Sequence, residues 1–483
     1  MANSPRKIHF VSLGCPKNRV DSEVMLGVAE RAGYQQVTEA DEAEVIVVNT
    51  CGFIDSAKQE SIDTILELSR HKESGQCRKL VVTGCLSQKY SGDLAADLPE
   101  VDHFLGSSDM LKLGPVLSDK GADRMLVGNP ADWVISATDP RRVSTRGRSA
   151  YVKIAEGCNR SCSFCIIPQL RGKQRSRATD DVVREVEALA AAGVLEINLV
   201  SQDTIAYGRD LDLGDGALAS LVRRVADVPG IRWVRLFYLY PEKLTEDVIE
   251  LIAGHPNVVP YIDMPLQHAS DPILRSMRRG HGGDRLRKLV ERVRTHIPQV
   301  TFRTAFIVGH PGETDADFKE LCDFVSWAQF DRMGVFVFSD EPTSHSFTLQ
   351  SKVPQELAQE RASQLMELQR PISQALNRKA IGRSLEVLVE GPSEEEELVM
   401  IGRHAGQAPD IDGCVYLSGA TVTGAPALPG QLLRGTVTDA TDYDLLLEID
   451  SEIVAGFAPD AAQGSVGMRP SDGRRVGLPV VRG

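Results

Sequence analysis

Short apolar runs recur along the first two-thirds of the chain and alternate with stretches whose apolar positions return every three or four residues. The runs fit strands buried on both faces, and the periodic stretches fit amphipathic helices. Three such runs open the chain, at residues 8–14, 45–50 and 80–84, and each is followed at once by a cysteine: Cys15, Cys51 and Cys85. With helical spacing over 21–32 and 56–68, residues 6–117 read as a βαβαβ open parallel-sheet domain. A connection over 111–150 carries Gly114-Pro115, Asn129-Pro130 and Asp139-Pro140, then a basic stretch, 141–148. The alternation resumes with strands expected at 151–155, 195–200, 233–239, 258–264, 300–308 and 334–338. Helices are expected between them, at 180–192, 218–228, 246–253, 272–279, 284–296 and 315–327. Thr179, Thr245 and Thr314 stand at the N-cap positions, each followed by Asp or Glu. Six βα units over residues 144–375 predict a partial parallel barrel, (β/α)6, open on one side. The wide mouth of such a barrel suits a macromolecular substrate.

After a polar helical segment, 355–379, the pattern shortens. Strands at 384–390, 397–403, 414–417, 431–439 and 442–449, parted by Gly-rich turns, predict a small antiparallel β-barrel of OB-like type over 376–450. Residues 451–483 are rich in Gly, Pro, Ala and Arg without periodicity and are expected to form a disordered tail.

Composition sharpens the class. A chain of 483 residues holds about two to four domains. With 42% apolar and 25% charged residues it is ordinary soluble globular material. No apolar run approaches the ~18 residues that span a bilayer. The first seven residues lead into only a short apolar segment, so neither a signal peptide nor a membrane association is expected, and the location is cytoplasmic. Nine cysteines there argue for metal, cluster or catalytic use rather than disulfides. The net charge of −13 disfavours a general nucleic-acid binder and favours a basic partner.

The densest chemistry lies in Gly157-Cys158-Asn159-Arg160-Ser161-Cys162-Ser163-Phe164-Cys165, spaced C-x3-C-x2-C and placed after the first barrel strand. Iron–sulfur clusters are held by thiolates, usually four; three on one loop leave one iron of a 4Fe–4S cube open to a small molecule. Zinc wants four ligands, typically as paired C-x2-C elements, and no partner pair stands nearby. Parallel strands deliver their C-terminal ends to one edge, so Cys15, Cys51 and Cys85 also meet there and form a second candidate cluster site. A single strand-end cysteine is more often a small buried residue, and Cys77, Cys322 and Cys414 are read that way. Other strand-end groups are Ser201-Gln202-Asp203, Tyr240-Pro241, Pro265-Leu266-Gln267-His268 and the loop 309–313. They either contact a small ligand or cap strands, and Gln202 and Gln267 are the candidates for the first role. The loop Arg171-Gly172-Lys173-Gln174-Arg175-Ser176-Arg177 is a basic patch, read as solvated or as meeting an anion.

The C-x3-C-x2-C loop closely resembles the signature of the radical S-adenosylmethionine (SAM) superfamily. Three strand-end cysteines before it and a small barrel (a TRAM domain) after it make residues 6–450 similar to the methylthiotransferase family. Ser12-Leu13-Gly14-Cys15-Pro16-Lys17-Asn18, Asn49-Thr50-Cys51-Gly52-Phe53-Ile54, Glu156-Gly157-Cys158-Asn159, Cys165-Ile166-Ile167-Pro168 and residues 264–270 resemble its protein-modifying branch. The resemblance implies two 4Fe–4S clusters, one on Cys158, Cys162 and Cys165 that binds SAM, one on Cys15, Cys51 and Cys85. It implies two uses of SAM: one methylates a sulfur at the second cluster, another yields the radical that takes hydrogen from the substrate. It further implies, as substrate, the β-carbon of an aspartate of ribosomal protein S12, free or in the small ribosomal subunit, and a reductant such as flavodoxin. The alternative branch modifies an adenosine of tRNA. Against it, residues 376–450 hold five Lys/Arg and thirteen Asp/Glu, a poor surface for phosphates and a good one for a basic protein. A non-catalytic iron–sulfur electron carrier is the third reading; carriers usually saturate their irons with four protein ligands, whereas this chain offers triplets.

Overall fold

The computed structural model describes residues 5–118, 121–396, 398–421 and 424–453. The first domain is a six-stranded parallel sheet of β1 (Arg6–Ser12), β2 (Tyr34–Gln36), β3 (Val45–Thr50), β4 (Lys79–Gly84), β5 (His103–Leu105) and β6 (Met125–Leu126), in the order β2-β1-β3-β4-β5-β6. Every residue of β3 is buried, as expected of a strand sandwiched between helices. The short strands β2, β5 and β6 escaped the hydrophobic pattern because two or three residues carry no period. The helix Pro16–Arg31 begins five residues earlier than its apolar spacing indicated. Pro16 suits the first helical position, where its missing N–H costs nothing.

The middle of the chain places β7 (Ser149–Lys153), a two-residue β8 (Ala155–Glu156) paired with β9 (Arg175–Ser176), β10 (Glu196–Val200), β11 (Trp233–Leu236), β12 (Tyr261–Asp263), β13 (Thr301–Val308) and β14 (Arg332–Val337). The sheets β7-β10-β11 and β12-β13-β14 are parallel throughout and are joined by a parallel bridge from Val234 to Val258. They form the six-stranded partial barrel. Along β13 burial strictly alternates: Phe302 and Phe306 pack outward on Phe330, while Arg303 turns inward to Asp263.

Of the three expected N-cap threonines only Thr314 acts as one. Its hydroxyl accepts from the Asp317 N–H at 3.3 Å, and the Asp317 carboxylate accepts from the Thr314 N–H at 2.9 Å. Thr245 stands at its cap position without a side-chain bond, and Thr179 already lies inside its helix, hydrogen-bonded to the Tyr207 hydroxyl.

The helix Gln355–Arg378 leads into a closed barrel of β15 (Ser384–Pro392), β16 (Met400–His404), β17 (Val415–Ser418), β18 (Leu432–Ala440) and β19 (Leu445–Ile453). The expected antiparallel barrel is corrected in one respect: β17 and β19 run parallel and close it. β19 takes in residues 451–453; the rest of the expected tail, 454–483, lies outside the described residues. No helix among the described residues is long and apolar enough to cross a membrane.

One buried apolar cluster draws on all three units: Val20 and Val24 from the first, Tyr151, Phe237 and Tyr261 from the partial barrel, Leu388, Ala408 and Leu432 from the last. The segment after β16 reaches the N-terminal end of the partial barrel, where the Tyr151 hydroxyl donates to the Pro409 carbonyl at 2.8 Å and Arg235 to that of Ala405 at 2.9 Å.

Candidate functional site

The C-terminal edge of the first sheet faces the C-terminal end of the partial barrel, and both carry a cysteine trio. Cys15 is the N-cap of the helix Pro16–Arg31, with no side-chain capping bond to occupy its thiol. Cys51 follows β3, its N–H donating to the Ser61 hydroxyl at 3.1 Å. Cys85 opens the helix after β4, its thiol 3.9 Å from Asn18 Oδ1. Gly14 brings the first two together: at φ +87° its hydrogen lies where a Cβ would stand 2.8 Å from Cys51 Cβ. Burial, then the neighbouring Cys85 and Cys15, push the Cys51 thiol up to about 12. The three side chains therefore share one electrostatic neighbourhood.

The second trio occupies the loop after β8. Gly157, at φ +83°, lets that loop pass against the Lys173 carbonyl, 2.2 Å from where a Cβ would be. Burial, then Asp203 and Cys162 against the N–H of Arg160, raises Cys158 to about 11. Burial together with Cys162 and Cys158 raises Cys165 to about 12. Two donors already address these sulfurs: the Arg160 N–H to Cys158 Sγ and Arg279 Nη1 to Cys162 Sγ, both at 3.4 Å. Ser163 anchors the loop, its hydroxyl donating to the Ser276 carbonyl and accepting from Ser346, which in turn meets His310. The two trios are near neighbours. Cys85 packs in a small apolar cluster with Ile166 and Leu170, and Ile166 adjoins Cys165.

Both trios fit 4Fe–4S clusters. Each supplies three thiols, and cationic or N–H donors point at sulfur, as an anionic cluster requires. Among the described residues no three His, Cys, Asp or Glu side chains close on one metal ion; a cluster instead spreads its thiolates over separate irons. Around the second trio several buried polar atoms have no hydrogen-bond partner among the described residues: Arg160 Nη2, Asp203 Oδ1, Gln202 Oε1 and both ring nitrogens of His281. Such atoms call for a polar ligand, and SAM, with its ammonium, carboxylate and adenine, supplies one. Tyr240 is stacked between the Arg160 and Arg279 guanidiniums, whose centres lie 3.8 and 4.1 Å from its ring.

The other expected residues fall into place unevenly. Gln202 reaches the loop and donates to Glu156. Gln267 sits at φ +74° and is stitched to β13 by its backbone, its N–H donating to Ala305 O at 2.9 Å. The basic patch is solvated only in part: Lys173 is exposed, but two arginines are buried. Arg171 and Arg177 are 2% and 3% exposed, Arg171 meeting Asp21 at 2.7 Å and Arg177 meeting Asp181 and Glu185. Their partners come from distant segments, or from one helix turn on, which a local run of charges does not disclose. Lys153 completes this interior network against Asp21 and Glu156. Burial would raise the Glu156 pKa, but Lys153 and Arg171 hold it down at about 2. Sequence reasoning missed Arg160, Arg279, His281, Lys17 and Tyr238; for Lys17 the available signal was its place two residues from Cys15.

Comparisons with known proteins match three successive stretches of the chain. Residues 7–106 match the model of Uncharacterized protein family UPF0004, residues 152–325 that of the Radical SAM superfamily, and residues 381–449 that of the TRAM domain. A ribosomal protein uS12 methylthiotransferase RimO of Sorangium cellulosum (strain So ce56) is 64% identical, over 99% of this chain and 98% of its own. Proteins of the same name from Anaeromyxobacter sp. (strain Fw109-5) and Myxococcus xanthus (strain DK1622) are 48% and 47% identical, over 98% and 92% of this chain and 99% and 92% of theirs. Among solved structures, the radical S-adenosylmethionine methyltransferase TsrM of Kitasatospora setae, with tryptophan and a SAM analogue bound, matches with a TM-score of 0.51. It is 15% identical and is aligned over 69% of this chain and 73% of that one, a likeness of fold.

Proposed function

Since the chain belongs to the RimO family of ribosomal protein uS12 methylthiotransferases, we propose that it places a methylthio group on the β-carbon of an aspartate of ribosomal protein S12. The observation that carries the reading is the pair of cysteine trios on opposed strand edges, brought side by side through Cys85 and Ile166. Cys158, Cys162 and Cys165 would hold the cluster that binds SAM, and Cys15, Cys51 and Cys85 the second. When bound, these groups supply radical and methyl-transfer chemistry, with the electron from a reductant such as flavodoxin. The chain's own residues orient and shield. Arg279 and the Arg160 N–H stabilise negative charge on the sulfurs, and Asp203 and Glu242 keep the Arg160 side chain against Tyr240. Gln202 and Gln267 would border the space for SAM. The interior network of Asp21, Lys153, Glu156 and Arg171 fixes the first domain on the partial barrel with all its charges matched, which keeps water from the reaction space. The acidic last domain favours the basic S12 over tRNA, and the reaction belongs in the cytoplasm, where ribosomes are.

Mass spectrometry of S12 from cells with and without this gene tests the proposal. A methylthio increment on an aspartate that depends on the gene is expected. Unmodified S12 together with a gene-dependent modified tRNA adenosine would overturn it.

A further inference from the structure

Lys17 lies in the first turn of the helix Pro16–Arg31, two residues after Cys15. It is 8% exposed, and its ammonium sits 3.3 Å from the centre of the Tyr238 ring. Among the described residues it donates no hydrogen bond and enters no ion pair, although the Cys15 sulfur and the Glu156 and Asp263 carboxylates are close. Both carboxylates are already engaged: Glu156, with Asp21, by Lys153 and Arg171, Asp263 by Arg303 at 2.6 Å. Apart from the Cys15 sulfur beside it, Lys17 is therefore a cation with no carboxylate of its own in a largely buried place. Burying such a charge is costly unless an anion meets it.

The place is informative. Tyr238 follows β11 at the end of the partial barrel that carries the second trio, and Lys17 lies two residues from Cys15 of the first, so their contact joins the first trio's sheet edge to the barrel. Tyr238 is held at φ +57°, an unusual conformation for a bulky residue, with its N–H on Asp263 at 3.0 Å. Its phenol makes no hydrogen bond among the described residues, so a second donor stands beside the ammonium. An aspartate's β-carbon is bonded directly to its carboxyl carbon. A cation that grips the carboxylate here fixes the reacting carbon one bond away.

We propose that Lys17, seconded by the Tyr238 hydroxyl, receives the carboxylate of the target aspartate and selects it over the isosteric amide. This rests on the substrate assigned above, and Lys17 acts in it as a specificity-determining contact. A lysine that only offset the charge of the first trio's thiolates would be indifferent to the side chain offered.

The test uses the full chain with both clusters reconstituted and no reductant, so that binding is read without turnover. A fluorescent S12 loop peptide carrying the aspartate, and its asparagine twin, are titrated against wild type, Lys17→Met and Lys17→Arg. Wild type is expected to prefer the aspartate peptide by roughly 10- to 100-fold, the span of a charge-assisted bond. Lys17→Met should bind both peptides alike, and Lys17→Arg should restore the direction of the preference. The inference is overturned if Lys17→Met keeps the wild-type ratio, if wild type shows no preference, or if Lys17→Met loses iron while its ratio stands. A parallel turnover assay separates the premises: wild type that binds the aspartate peptide selectively yet never adds a methylthio group refutes the activity, not the contact.

Discussion

Gly14 shows how little freedom single positions keep at the first trio. Its positive φ is one that side-chain-bearing residues rarely adopt, and the space for a Cβ is taken by Cys51 Cβ at 2.8 Å and Sγ at 3.0 Å. Gly14→Ala is expected to cost about 1–3 kcal/mol in backbone strain and overpacking. It should also strip the iron of the first trio while leaving that of Cys158, Cys162 and Cys165. Iron analysis with electron paramagnetic resonance of the reduced protein checks this, the expected spectrum being that of the barrel cluster alone. At this scale the sequence was most legible for the cysteines of the loop, since their spacing is local and the chemistry follows from it. It was least legible for Arg171, whose meaning depends on Asp21, 150 residues earlier in the chain. Lys17 was hidden for the same reason, because its setting exists only once Tyr238, Glu156 and Asp263 are brought around it.

Among the elements, the loop after β14 ties the two trios' supports together. Its Glu341, 1% exposed, accepts from Lys58 at 2.6 Å, from Lys89 and from the Tyr90 hydroxyl at 3.0 Å, all on helices of the first domain. The mouth expected to stand wide open is thus bridged at this point by the first domain. Burial works to raise the Glu341 pKa, but the bonds from Lys58, Lys89 and Tyr90 hold it at about 2. Glu341→Gln should weaken the bridge by about 1–3 kcal/mol, since two ammoniums lose their anion while staying partly accessible to water. The expected sign is faster amide hydrogen exchange in residues 338–345 and in the helices Asp55–Ser69 and Cys85–Asp97, with the interior of β13 unchanged. Element order and most boundaries could be read from apolar continuity and period. The exceptions were elements too short to show a period, and threonine caps, where the residue type was right but only Thr314 had an acceptor geometry to use.

At the scale of the whole molecule, Glu196 of β10 holds the last domain on the partial barrel. It is fully buried and meets Arg403 of β16 at 2.6 Å and Arg235 of β11 at 3.1 Å. Burial alone would raise the Glu196 pKa; the two arginines outweigh it and bring it to about 2. In the unfolded chain a glutamate titrates near ~4.3. The contribution of Glu196 to stability is therefore complete above that pH and is lost as pH falls through about 2. Arg403→Ala should cost about 3–5 kcal/mol by leaving Glu196 and Glu390 without their shared cation. Thermal unfolding at pH 7 is expected to show the loss, and the difference from wild type should shrink as the pH approaches 2. The succession of parallel sheet, partial barrel and small closed barrel was legible because the apolar pattern changes from one to the next. That one core runs through all three was not, because Val20, Phe237 and Ala408 each look like ordinary interior residues of separate units.

The helix Pro16–Arg31 belongs to that common core along most of its length, and Cys15 sits at its head. A hinge that swung the first domain aside to engulf a bulky guest would drag this rod, and with it one cysteine trio, away from the other. Spacing between the two trios is thus guarded at the expense of aperture. If the guest is the protein substrate proposed above, it would have to send in a slender finger of chain while its body stays outside, and the shape of that loop would be as much a criterion as the residue at its tip.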